Sequence, residues 1–485
     1  MIRDLKPYST YRNPGVQWLR KVPEHWEIRK LKFEVSFQGG GTPAKADEAY
    51  WNGAIPWVSP KDMKHRTIFD AADHITDHAV KSSATNLIAP GAVLVVVRSG
   101  ILRRSIPVAI NAMEVALNQD MKALRPRGRL LPAYLQYLIE GNQNELLIEW
   151  TKQGATVESI EHELMANSRV PIPSVREQSA IVHFLDYADR LIRRYVLAKR
   201  KLVKILEEHK QVVIQNAVVH GVRGTVTLKQ CGVDGLGDLP ESWAVRRIAS
   251  FSPMVTNGWV GPTRDILRDS GTPYIQSLHI KNGKVQFKKK FFVDPDWLAK
   301  HEKIRLKTGD VVVVQTGDIG QVACIPRDFE GVGCHALIII RTKSDVMKGE
   351  FLDLVLRSKY GFNALKKMQT GALHPHLNCT WVREIFVPVP PMEEQEWIVR
   401  EVGKRVENLN LAIARTRDEI DLVREYGTRL IADVVTGKLD VREAAANLPD
   451  EAEEPEELLL VDEALTGGDE AELASEELAE EEVVG

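Results

Sequence analysis

Residues 22–31 read VPEHWEIRKL and residues 239–248 read LPESWAVRRI, almost the same phrase 217 positions later. One ten-residue echo is a weak constraint, but others share its offset. IPWV at Ile55 recurs as TPYI at Thr272, QGA at Gln153 as TGA at Thr370, and VPIPSVREQ at Val170 as VPVPPMEEQ at Val387. Two further pairs lie one residue off: PGAVLVVV from Pro90 against TGDVVVVQ from Thr308, and VVHG ending at Gly221 against VVTG ending at Gly437. A spacing held while the intervening residues diverge marks duplication of a whole structural unit. The chain therefore has to fold as two copies of one design.

Each copy has a strand-rich half and a helical half. Strand signals include AVLVVV, DVVVVQ and ALIIIR from Ala336, separated by Gly, Pro and Asn punctuation. After VPIPS, which blocks any earlier helix, Ser174 and Glu177 have capping-box spacing. Apolar residues then recur at helical steps: Ile181, Leu185, Ala188, Ile192, Val196, Val203, Leu206 and Val213. The second copy repeats the stripe with Ile398, Val402, Leu409, Ile413, Ile420, Val423 and Leu430, and Gly221 and Gly437 supply the stops. A helix of about 40 residues is roughly 60 Å long, so its stripe needs an equally long partner. The other copy is the expected partner, with pseudo-two-fold symmetry making the pairing antiparallel; the alternative is that each helix packs only on its own module. The fold class is thus α+β: two pseudo-symmetric strand-rich modules joined by two long helices in an antiparallel coiled coil. The expected order is an N-terminal segment (1–21), a first module (22–173), a helix (174–220), a linker (221–238), a second module (239–390), a second helix (391–437) and an acidic, disordered tail (438–485).

Charge bears on the partner. The net charge of −3 conceals a segment, Asp450 to Gly485, with 16 acidic residues and no Lys or Arg; the remainder carries about 13 more basic than acidic residues. Such a balance suits a polyanion, and equally an ordinary solvated surface. Cys231, Cys324, Cys334 and Cys379 have no CxxC spacing, which argues against a disulfide framework or zinc ribbon. With no membrane-length apolar run and no signal-peptide pattern, a cytoplasmic protein without membrane association is expected.

These residues resemble the DNA-specificity subunit of type I restriction-modification systems. The likeness is carried by QGGGTP with YWNGAIPWVSPKDM, by GPTRD with GTPYIQSLHIKNGKV, by KTGDVVVVQTGDIGQVACIP and GALHPHLN, and by PIPSVREQ and PVPPMEEQ leading into long helices. It spans roughly residues 22–440. The resemblance implies that each module is a target-recognition domain reading one half of a split, asymmetric double-stranded DNA target, with the coiled coil setting the distance between the halves. It also implies two adenine-N6 methyltransferase subunits and, in the full complex, motor-nuclease restriction subunits as partners. This chain would then be non-catalytic and hold no cofactor, with S-adenosylmethionine, ATP and Mg on its partners. The acidic tail and the segment before Val22 lie outside the shared pattern.

Base edges are read by polar side chains on loops, beside basic groups that hold phosphates. In the first module Lys61, Lys64, Arg98, Ser99, Arg103 and Arg104 fit that description. In the second, Arg264, Gln276, His279, Lys281, Lys284, Lys288, Lys289, Lys290, Gln315, Thr316, His374 and His376 do. Each taken singly also fits an ordinary surface, so the clusters carry the inference. The loops QGGGTP and NGWVGPTRD would let backbone approach a phosphate, or simply turn tightly. DHITDH (His74, His78) and HPHLNC (His374, His376, Cys379) lack an HExxH-type pattern, and no metal is assigned. The sequence has no GxxxxGK[ST] loop and no Asn/Asp-Pro-Pro-aromatic segment for a flipped adenine. Two rival readings are a chain that cuts or methylates DNA through a divergent site, and a bivalent decoy or interaction scaffold without a DNA target.

Overall fold

The computed structural model describes residues 5–151, 159–222, 227–370 and 376–449. The chain divides at Lys199/Arg200 and at Arg417/Asp418 into two compact units, each holding one strand-rich module and parts of both long helices.

In the first unit a five-stranded sheet runs in the order 35–39, 121–126, 93–96, 108–111, 67–68. Its central strand Val93–Val96 pairs antiparallel on both sides and is wholly buried, which is why it reads as an unbroken apolar run without alternation. The second unit repeats the plan with strands 254–257, 337–341, 311–314 and 322–324, and Val311–Val314 is again wholly buried. A second, four-stranded sheet completes each module. In each, one parallel pair stands at the same repeat position, Ala116 opposite Trp57 and Gly333 opposite Tyr274.

The glycine-rich loops do not serve left-handed turns, since none of Gly39, Gly40, Gly41, Gly258 and Gly261 has positive φ. A Cβ on Gly40 would lie 2.0 Å from the Asn118 carbonyl oxygen, and one on Gly258 would lie 2.6 Å from that of Cys334. These glycines let two backbone segments of the module touch. Trp57 then donates its indole N–H to the Gly41 carbonyl at 3.0 Å.

The long helices are Val175–His220 and Met392–Val435, and Gly221 and Gly437, with φ of +74° and +77°, follow their ends. At the first start only half of the expected capping box forms. Ser174 Oγ accepts from the Glu177 N–H at 3.3 Å, but the Glu177 carboxylate turns inward to the Trp26 indole N–H at 3.0 Å. Trp243 and Glu394 repeat that bond at 3.0 Å. The neighbouring glutamine is a clamp in both copies. Gln178 accepts from Leu131 N and donates to Pro173 O, each at 2.9 Å; Gln395 accepts from Lys348 N at 2.9 Å and donates to Pro390 O at 2.8 Å. The repeated EQ thus ties each module to the helix that follows it.

Within the first unit, Ile181, Leu185 and Ala188 share a core with Leu430 and Val434. Within the second, Ile214, Ala217 and Val218 share one with Ile398 and Val402. Early residues of one helix meet late residues of the other in each unit, so the pairing is antiparallel. Ile420 is buried too, whereas Ile192, Val203, Leu206, Val213, Leu409 and Val423 are half-buried, and Ile214 takes the fully buried place beside Val213. Away from the helix starts, the polar residues Lys210 and Thr416 are buried in the same helices.

The segment before Val22 acquires a role in the first unit. Asp440 N donates to Lys6 O at 2.8 Å, the Tyr11 hydroxyl donates to Lys438 O at 3.1 Å, and the short helix Arg442–Ala446 sets its Arg442 guanidinium 5.0 Å from the centre of the Tyr8 ring. Tyr8 in turn donates to Glu177 at 2.7 Å. Strands Tyr11–Arg12 and Val22–Pro23 match Leu228–Gln230 and Asp238–Pro240 of the second unit at the repeat spacing. Segments from before the first module and after the second helix together build in one unit what a single stretch of chain supplies in the other.

Candidate nucleic-acid interface

In each unit the central strand runs out into a polar loop held against a hairpin stem. In the first, Val97 O accepts from Ile160 N at 2.8 Å, Thr151 bridges Ile160, and Arg98 bridges Ser159. In the second, Gln315 O accepts from Leu377 N at 3.0 Å, and strand Gln369–Thr370 pairs with His376–Leu377. Arg98 and Thr316 occupy equivalent places, as do Ser159 and His376. The same strand end and hairpin are built twice and dressed with different side chains.

Beyond Arg98 in the first module, Ser99 Oγ accepts from Ile101 N at 3.4 Å, and the turn Gly100–Arg103 leaves Arg103 and Arg104 exposed. Lys61 and Lys64 are exposed on and just after the turn Pro60–Asp62. That turn is fixed by Asp62, which accepts from Ser59 N at 2.8 Å and Ser59 Oγ at 2.7 Å, and from Ala72 N at 2.9 Å through its other oxygen.

In the second module Thr316 and His376 are exposed, with Thr370 Oγ1 3.2 Å from His376 Nε2. Gln315 is half-buried and its amide donates to Leu377 O at 3.1 Å, so it latches the hairpin. Lys281 and Lys284 flank a two-residue turn in which Asn282 and Gly283 have φ of +54° and +75°, the signature of a tight hairpin. Asn282 N donates to Gln321 Oε1 at 3.2 Å, which joins this hairpin to the loop after Thr316. Lys288, Lys289 and Lys290 are exposed, as is Arg264 on the glycine-rich loop. His374 lies outside the described residues. Among the described residues no ion partner stands against Lys61, Arg98, Arg104, Lys281, Lys284, Lys288 or Lys290.

Gln276 and His279 do not belong to this surface. Both are buried, and at the repeat offset they correspond to Ser59 and Asp62. They cap the equivalent turn: His279 Nδ1 accepts from Gln276 N at 2.8 Å. That bond leaves the ring proton on Nε2, which donates to Lys289 O at 2.7 Å and pins the lysine run from behind. Burial holds the imidazole pKa below its ordinary value. Sequence reasoning passed over Ser159, Thr370 and Gln321; only alignment of the copies around Arg98 and Thr316 could have singled out the hairpin stems. Among the described residues no cluster of three His, Cys, Asp or Glu could hold a metal, and His74 instead lies 2.9 Å from Asp70. No helix among them is long and apolar enough to cross a membrane.

The family of type I restriction modification DNA specificity domains matches the chain twice, at residues 23–199 and 240–419. The chain belongs to this family. It is 40% identical over 187 residues to the EcoR124I/EcoR124II specificity subunit of Escherichia coli, a match covering 38% of this chain and 46% of that relative, or about half its length. It is 24% identical over 433 residues to the MjaIX specificity subunit of Methanocaldococcus jannaschii, covering 87% of this chain and 95% of the relative. A solved chain from work on complex assembly and conformational transition of the type I R-M system shares the fold, with a TM-score of 0.65 at 14% identity over 86% of this chain and 99% of that one. The specificity-domain match begins at the Trp26 phrase and takes in each module with the start of its helix. The short helix Arg442–Ala446 and the acidic segment lie beyond it.

Proposed function

We propose that the chain reads a bipartite, asymmetric sequence in double-stranded DNA and scaffolds the adenine-N6 methyltransferase and motor-nuclease subunits of a type I restriction-modification complex. The observation that carries this reading is the strand-end and hairpin site built twice on unlike side chains. A duplicated scaffold with Arg98 and Ser159 in one copy and Thr316 and His376 in the other suits two unlike half-sites. The exposed lysines and arginines around each loop supply sequence-independent attraction to phosphate. The chain itself contributes no catalytic group in this reading; S-adenosylmethionine, ATP and Mg act on the partner subunits. Family membership and the relatives named as specificity subunits support it.

The test is a genome-wide map of methylated adenines in cells expressing the chain with its partner subunits, compared with cells in which residues 239–390 are replaced by another module. A split motif in which only one half changes is the expected result. No motif in cells where the partners are demonstrably assembled would overturn the reading and favour a decoy or interaction scaffold. Methylation or cleavage by the purified chain alone would instead assign it the chemistry.

A further inference from the structure

The first unit contains a groove of about 620 Å³ between the start of the helix Val175–His220 and the short helix Arg442–Ala446. Arg176, Ser179, Ala180 and His183 line one wall at helical spacing, and Arg442, Ala445 and Ala446 line the other. Arg176 and His183 have no ion or hydrogen-bond partner among the described residues. The carboxylate at the groove, Glu177, is already engaged by Tyr8, His25 and Trp26, and Arg442 is paired with Asp440 at 2.6 Å. Small side chains form the floor, and the unpartnered Arg176 guanidinium and His183 imidazole stand at the rim.

The repeat provides an internal control. At the start of the second long helix Arg176, Ser179, Ala180 and His183 correspond to Glu393, Glu396, Trp397 and Arg400. There a tryptophan stands where the first copy has alanine, and two carboxylates stand where it has an arginine and a serine. Copies of one unit have diverged so that only the first helix start carries a small, basic face.

What distinguishes the first unit is the chain that leaves it. Three residues beyond Ala446, at Pro449, the described chain ends, and the 36 residues from Asp450 to Gly485 follow, with 16 carboxylates and no Lys or Arg. Within that segment Glu456-Glu457-Leu458-Leu459-Leu460-Val461-Asp462-Glu463 flanks four apolar residues with acids on both sides. The nine residues between Ala446 and Glu456 can span up to about 30 Å, enough to turn back along the helix they leave. Tethering so close gives an effective concentration on the order of millimolar, so modest contacts suffice.

We propose that the acidic segment around Glu456–Glu463 docks in this groove, its leucines against Ala180 and Ala446 and its carboxylates against Arg176 and His183. The segment is then an intramolecular ligand of the first unit, and the groove is its receptor.

The test uses a labelled synthetic peptide of residues 450–485, titrated by fluorescence anisotropy into the chain lacking those residues and into the full chain. The truncated chain is expected to bind the peptide, at least tenfold more tightly than the full chain, whose groove is already filled. Binding should weaken at least tenfold in the truncated chain carrying Arg176→Glu with His183→Glu. It should fall similarly with Ala180→Trp, which imports the residue of the second copy. Thermal midpoints of these variants show whether the unit remains folded. Equal affinity of truncated and full chains overturns the proposal. So does peptide binding that survives Arg176→Glu/His183→Glu and is abolished by reversing Arg98, Arg103 and Arg104, which would place the acidic segment on the DNA-reading loops instead.

Discussion

Glu140 lies 3.1 Å from the Arg66 guanidinium, which also faces Asp189 at 3.6 Å and sits 3.8 Å from the centre of the Tyr137 ring. Burial pushes its carboxyl up to about 7 against the opposing pull of Arg66. The folded state therefore holds a proton that the unfolded chain releases near pH 4.5, so this contribution to stability is full below that pH and is lost as pH rises through 7. Glu140→Gln keeps the shape and removes the titration. In urea melts the variant should gain about 1–3 kcal/mol relative to the parent between pH 5 and pH 8, and parallel pH profiles would show that the proton is not held there. His279 works in the opposite sense. Its depressed folded-state pKa means that its contribution is present above about pH 6.5 and is lost as pH falls from there through the folded value. His279→Ala removes the acceptor of the buried Gln276 N–H and should cost about 1–3 kcal/mol by thermal or urea melting. It should also loosen the backbone at Lys289, read as faster amide exchange across Lys288–Lys290. Exchange unchanged in a folded variant would mean that the imidazole does not hold the lysine run.

The long helices show where sequence reading reaches and where it stops. Apolar spacing is a local property, so the buried positions Ile181, Leu185, Ile398, Val402, Ile420 and Leu430 could be read from the chain directly. Lys210 could not, because residue type argues for solvent, although it stands seven residues from Val203 and from Ala217 in the same stripe and is turned inward with them. The modules behave alike. Unbroken valine runs announced the central strands, but Gln276 and His279 have the chemistry of base readers and the position of turn caps. Position became visible only when the turn formed and could be matched with Ser59 and Asp62. Lys210 gives a prediction at this scale. Its ammonium meets Asn410 Oδ1 at 3.4 Å and is paired with Glu207. A buried charge contributes little net stability, whereas stranding it is costly. Lys210→Met should leave the thermal midpoint of the second unit unchanged or raise it, while Glu207→Ala should destabilise by about 2–3 kcal/mol. The reverse ranking in calorimetry would show that the lysine itself stabilises the helix pair.

Across the whole molecule, one duplicated fold carries two independent recognition surfaces in the proposed reading. Arg98, Arg103 and Arg104 belong to one strand end, and Thr316 and His376 to the other, with no residue shared between the two sets. Variants with no common partner act additively, so in that reading the halves of a split target should respond separately. Arg98→Ala with Arg104→Ala is expected to relax preference at one half-site by about 1–3 kcal/mol per lost base contact and to leave the other unchanged. Thr316→Ala with His376→Ala should do the converse. Lys281→Ala and Lys284→Ala, which remove charge without removing a reader of bases, should weaken binding to every sequence alike. Each should lower the slope of log affinity against log salt by about 1 if it meets a phosphate. Binding selections on randomised DNA with the assembled complex, repeated at several salt concentrations, separate these outcomes. If Arg98→Ala/Arg104→Ala and Thr316→Ala/His376→Ala relax the same positions, the two loops read one site together, and a duplicated fold does not imply a divided target.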